Sequence, residues 1–63
     1  MKELPEIGDL VRRKYTEDYY LVLRQEYSER SGQLSTFTTQ EIKTGRYIKI
    51  VYHEMYDDFV KSE

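Results

Sequence analysis

The chain contains no cysteine and no tryptophan among its 63 residues, and alanine and asparagine are missing as well. Without cysteine there is no disulfide scaffold, no thiolate metal site and no sulfur nucleophile. The three glycines stand far apart, at 8, 32 and 45, so no glycine-rich loop is present to cradle a phosphate. Long apolar runs are lacking too. The longest, Tyr19 to Leu23, is five residues, against the roughly 20 that a membrane-spanning helix needs. Neither sign of charge dominates, with 10 Lys and Arg against 12 Asp and Glu for a net of −2. The first six residues are charged and hold no apolar stretch, so neither a signal peptide nor an anchor is expected. No membrane association is expected, and the cytoplasm is the expected compartment.

What is present is a short, charged, tyrosine-rich chain. Charged residues make up 35% and hydrophobic residues 38%, and seven of the latter are tyrosines. A chain this short buries only roughly 60% of the surface its unfolded form exposes. With no staple, its stability has to come from packing and backbone ladders, or from a partner chain. Residues 1–63 are expected to form one domain, of which 1–7, with the single proline Pro5, are an extended leader.

The pattern after the leader is one of strands. Gly8-Asp9 is a turn, and residues 9–15 predict a first strand. Residues 18–28 predict a second, in which the continuous run Tyr19–Leu23 suits burial on both faces. Ser28 to Gln33 is a hairpin turn in which Gly32 supplies a positive φ. Residues 34–42, rich in Ser and Thr around Phe37, predict a third strand. Gly45 lies in the next turn, and residues 47–52 predict a fourth strand with Ile48, Ile50 and Tyr52 on one face. His53 to Glu63 reads either as a short helix, from the four-residue spacings Met55/Phe59 and Tyr56/Val60, or as a tight helical turn feeding a final strand at Phe59-Val60-Lys61. The second reading is preferred, because that strand can pair back with the first and close the sheet. Asp57 and Asp58 are then expected to cap the turn's N-terminus.

An all-β chain of this length has exposed sheet edges to manage, and closure into a small barrel removes them. The Ile7-Gly8-Asp9-Leu10-Val11 opening and the Asp57-Asp58-Phe59-Val60 close resemble those of small SH3-like barrels, including many short proteins of bacterial viruses and their hosts. The resemblance implies a small SH3-like barrel of about five antiparallel strands with a short helical turn before the last strand. It also makes a bacteriophage accessory or virion-associated protein, or a host-directed adaptor, an expected role, placed in the host cytoplasm or the virion. Such barrels serve many unrelated roles.

Catalytic arrangements find little support. His53-Glu54-Met55-Tyr56-Asp57 has only half of the helical zinc motif, and no third ligand is evident beside it. His53 is the only histidine, so a triad has one candidate base, and the serines and threonines of the third strand read as alternating strand positions. Close acid pairs are inevitable among 12 acids, and so small a barrel has little room for a cleft. No enzyme activity, metal or cofactor is expected.

Binding is the expected role. Tyrosine and arginine are enriched at the centres of protein interfaces, and seven Tyr and five Arg exceed what a core this small absorbs. Tyr19, Tyr20, Tyr47 and Tyr52 fall on the two best strands, where alternation cannot send all of them inward. The candidate protein-binding residues are Tyr15, Tyr19, Tyr27, Tyr47, Tyr56, Arg13 and Arg46. Open strand edges also invite a partner's strand. One alternative is weak binding of RNA or single-stranded DNA by Arg12, Arg13, Lys14 and Arg24 with stacking tyrosines. The net negative charge and the neighbouring Glu17, Asp18, Glu26 and Glu29 oppose it. A second alternative is a structural subunit stabilised by self-assembly as a homo-oligomer.

Overall fold

The computed structural model describes residues 4–62; the first three residues of the expected leader lie outside them. Five antiparallel strands form one sheet: β1 (Leu10–Arg13), β2 (Tyr19–Tyr27), β3 (Leu34–Glu41), β4 (Tyr47–Val51) and β5 (Phe59–Lys61). A seven-residue helix, α1 (Tyr52–Asp58), lies between β4 and β5. The strand order is β4-β3-β2-β1-β5. The glycine turns are where the sequence places them, but the first strand, expected over 9–15, ends at Arg13, because Lys14 and the left-handed Tyr15 belong to the turn into β2. Gly8, Gly32 and Gly45 take φ values of 93°, 70° and 75°, which a Cβ would strain.

The chain's last strand pairs with its first, with Val11 opposite Lys61 and Arg13 opposite Phe59. The expected barrel closure is a different matter. The sheet is open, with β4 and β5 as its two edges. The physical reason lies in the connection. The short helical turn expected before the last strand is the seven-residue α1, about 10 Å long at 1.5 Å per residue, which joins the two edge strands. It lays Met55, 2% exposed, onto the core. Tyr52, expected as the last inward residue of the fourth strand, is therefore the first residue of the helix. Asp57 and Asp58 end that helix, and its N-cap, Val51, makes no side-chain cap bond.

The core consists of Val11, Tyr20, Val22, Phe37, Ile50, Met55 and Phe59, with Leu4, Leu34 and Ile48 packed against it. Alternation produces it. Val22, Thr39 and Ile48 share one row across β2, β3 and β4, and Gln25, Phe37 and Ile50 share another. Burying Phe37 alone contributes roughly 1.5–3 kcal/mol. Thr39 is fully buried, and its hydroxyl donates to the Ile48 carbonyl at 2.8 Å, so its polar group is satisfied. Tyr20 meets Phe59 edge to face at 5.4 Å between ring centroids.

The run Tyr19–Leu23, expected to be buried on both faces, is buried on one. Tyr20 and Val22 point inward, Tyr19 and Leu21 are half-buried on the outer face, and Leu23 is exposed. The pairing register slips between Val22 and Arg24, which leaves Leu23 unopposed in a bulge. The described part of the leader, residues 4–7, is fastened to the sheet. Pro5 is buried, its carbonyl accepts from Gln25 Nε2 at 2.9 Å, and Gly8 N donates to the Val22 carbonyl at 2.8 Å. Asp9 joins three segments. Its Oδ2 accepts from the Glu6 backbone N at 2.7 Å and lies 3.4 Å from Lys61 Nζ.

Candidate functional site

Two turns meet at one end of the sheet. The first, residues 14–18, joins β1 to β2. Thr16 N and Thr16 Oγ1 both donate to the Arg13 carbonyl, at 3.2 and 2.9 Å. Lys14 N donates to the Asp58 carbonyl at 2.7 Å, which ties this turn to the end of α1. The second turn, residues 42–46, joins β3 to β4. Gly45 N donates to the Glu41 carbonyl at 2.7 Å, and Thr44 Oγ1 donates to Glu41 Oε1 at 2.6 Å. Ile42 N donates to the Tyr19 carbonyl at 2.9 Å, so the second turn sits against the start of β2.

This end carries Tyr15, Tyr19, Arg46 and Tyr47. Tyr15 is 99% exposed and adopts φ 64°, a left-handed conformation found at no other non-glycine residue among those described. The bonds around it hold its neighbours and leave its ring in water. Tyr19 is half-buried on the outer face, opposite Arg12. Tyr47 is 71% exposed on the same face, opposite Gln40. Ile42 is also exposed here. Sequence reading missed it because an apolar residue at a strand end looks like core.

The other expected residues lie elsewhere. Tyr27 ends β2 at its far end, roughly 25 Å from Tyr19 along the strand, and its hydroxyl donates to Gln25 Oε1 at 3.4 Å. Tyr56 is on α1, where its ring stacks on Tyr52 at 6.5 Å and 11° between planes. That stack follows from their four-residue spacing on a helix, which was hidden while Tyr52 read as strand. Arg13 faces inward, with its guanidinium 4.7 Å above the Phe59 ring, and so packs against the fold itself.

The basic triplet is divided by strand alternation. Arg12 lies on the outer face and its Nη1 donates to the Thr16 carbonyl at 3.0 Å, while Arg13 covers Phe59 on the inner side. Lys14 belongs to the turn, and Arg24 is exposed further along the outer face, opposite Thr38. Two carboxylates are electrostatically distinct. Glu26 Oε2 accepts from Thr38 Oγ1 at 2.8 Å, and Lys49 Nζ lies 3.4 Å away. The Thr38 hydroxyl first and Lys49 second hold the Glu26 carboxyl below its ordinary range. The Glu6 backbone N–H, assisted by Lys61, does the same for Asp9.

An open depression of about 470 Å³ lies beside the leader, lined by Leu4, Pro5, Glu6, Ile7 and Gln25. Glu6 is its one ionisable group. No three His, Asp or Glu side chains converge among the described residues, and no helix among them is long and apolar enough to cross a membrane. Comparison with protein families, curated proteins and solved structures gives no match.

Proposed function

We propose that the chain is a non-catalytic protein-binding module of SH3-like barrel type, with its binding residues centred on the end of the sheet that carries Tyr15, Tyr19, Arg46 and Tyr47. The meander order with a short helix before the final strand supports the architecture. The observation that carries the function is Tyr15. A left-handed conformation costs a residue with a Cβ about 1–2 kcal/mol, and the ring of Tyr15, 99% exposed, recovers none of it by packing. A large amphipathic ring held out at such a position suits contact with a partner, and strain of this kind clusters at functional sites. By resemblance, the role is that of a small bacteriophage accessory, virion-associated or host-directed adaptor protein, acting in the host cytoplasm or the virion.

The test is photo-crosslinking from position 15, with the adduct then digested by protease or by nuclease. A protease-sensitive adduct that is lost when Tyr47 is changed to Ser is the expected result. A nuclease-sensitive adduct, together with salt-sensitive micromolar binding of single-stranded oligonucleotides, overturns the proposal in favour of nucleic acid. An adduct only between copies of the chain, with sedimentation that changes with concentration, overturns it in favour of self-assembly.

A further inference from the structure

We propose that the free edge of β4 accepts an extended, acidic peptide segment as an added antiparallel strand. The inference rests on the protein-binding reading and names the chemistry of the partner.

The backbone supplies the first part. Among the described residues β4 is paired on one side only, by β3. Glu41 N donates to the Arg46 carbonyl at 2.8 Å, and this fixes the ladder's phase. Two and four residues on, Ile48 and Ile50 turn their peptide groups to β3, and Tyr47 and Lys49 turn theirs to the open side. Native edges are commonly guarded by a lysine, a bulge or a proline. Here the one lysine, Lys49, leans across β3 to Glu26, at 3.4 Å, away from the open side. No register shift interrupts the β3–β4 pairing. Among the described residues, then, no bulge, proline or outward-turned lysine guards this edge.

The side chains supply the second part. Tyr47, Lys49 and Val51 alternate along the outer face in the order apolar, cationic, apolar. Tyr47 is 71% and Val51 44% exposed, and the Lys49 side chain is 67% exposed. An ammonium has three donors, so Lys49 can keep Glu26 and take a second carboxylate. Charge is the third part. Residues 42–51 hold Lys43, Arg46 and Lys49 and no acid, a net of +3 in a chain of net −2, so the remainder carries −5. An incoming acidic strand is thus drawn to this hairpin and repelled elsewhere. The bonds that Thr44 and Gln40 make within the 42–46 turn hold Arg46 at the end of the edge before any partner arrives. Backbone pairing selects a peptide over a phosphate chain, since a nucleic acid offers no matching ladder of donors and acceptors.

The probe is an acetylated and amidated peptide, TVTETITDD. Laid antiparallel on β4, it sets valine, glutamate and isoleucine opposite Val51, Lys49 and Tyr47 and its two aspartates near Arg46. Titration into the isotope-labelled protein is expected to shift the amide resonances of Tyr47 and Lys49 and slow their hydrogen exchange. Methylating the peptide nitrogens that face β4 is expected to abolish this. Arg46→Glu, in an exposed turn, is expected to weaken binding roughly fivefold, and the peptide ending in KK is expected to recover it; the same spectra report that the variant is folded. Equal binding by the methylated peptide, or no effect of Arg46→Glu, overturns the strand-edge site. Shifts confined to residues outside 47–51 also overturn it and leave the protein-binding reading standing. Displacement of the peptide by an oligothymidylate at the same amides overturns both.

Discussion

The contact that joins the last strand to the rest of the fold is open to a quantitative test. Phe59 is 1% exposed, lies edge to face with Tyr20 at 5.4 Å and carries the Arg13 guanidinium 4.7 Å above its ring. Phe59→Leu keeps an apolar side chain of similar reach and removes the ring. The aromatic pair is worth about 0.5–1.5 kcal/mol beyond area burial, and the cation–π contact about 0.5–1 kcal/mol where the cation stays partly hydrated. The expected loss is therefore about 1–2.5 kcal/mol. That is a large share of the roughly 3–5 kcal/mol available to a domain of this size, yet it leaves the variant folded. Urea unfolding followed by circular dichroism should show a lower midpoint at an unchanged slope. Thermal unfolding should shift by about 4–8 °C per kcal/mol. Arg13→Met and the double variant complete a cycle, and a coupling of about 0.5–1 kcal/mol is expected from it. A loss below about 0.5 kcal/mol with no coupling would refute the claim that Phe59 holds β5 to β1 and β2 through these two contacts.

Other consequences can be checked in parallel. Met55→Ala should cost about 2–5 kcal/mol, enough to unfold much of the population at room temperature, as read by tyrosine fluorescence and amide dispersion. Tyr15→Gly releases about 1–2 kcal/mol of left-handed strain against about 0.5–1 kcal/mol for glycine's added freedom in the unfolded chain. It should raise stability by about 0.5 kcal/mol while weakening capture of the partner; a loss of stability would show that the ring packs on the fold after all. Thr38→Val removes the hydroxyl that most lowers the Glu26 pKa, so the Glu26 carboxyl should titrate nearer its ordinary value of 4.5 by carbon-detected NMR. Asp9 and Glu26 both titrate below their ordinary values of 3.8 and 4.5. In acid the unfolded chain therefore binds more protons at these groups than the folded one. Their contribution is fully present above about pH 4.5 and is lost as pH falls through the lowered values. Unfolding midpoints at pH 6, 4 and 3 should fall in that order, and more shallowly in Thr38→Val.

Local residues announce most of this fold. Glycines at 8, 32 and 45 mark three turns because only they take positive φ cheaply. The β-branched and tyrosine-rich stretches between them are the strands, and Phe59-Val60-Lys61 returns to β1 as expected. What the sequence does not reveal was decided by tertiary packing. A run of five apolar residues has no alternation to read, so the burial of Tyr20 and Val22 but not Leu23 depends on the bulge against β3. The short helical turn before the last strand was legible, but its start at Tyr52 was not, because the helix lacks a capping side chain and two aspartates near its end look like an N-terminal signal. The candidate site follows the same rule. Tyr15 and Tyr47 are legible as surplus aromatics. That Arg13 lies on the inner face over Phe59 and Arg12 on the outer face emerges only from the phase of β1, and the grouping of Ile42 with Tyr19 only from the β2–β3 register.

The most direct test of the binding role is an affinity capture from the organism that encodes the chain, comparing the native protein with a variant in which Tyr15, Tyr19 and Tyr47 are changed to Ser. Tyr27→Ser, at the far end of β2, is the control. The account predicts one set of proteins retained by the native chain and by Tyr27→Ser and lost from the triple variant, with all three forms folded by circular dichroism. An identical set on the triple variant, or a set lost equally with Tyr27→Ser, would contradict it.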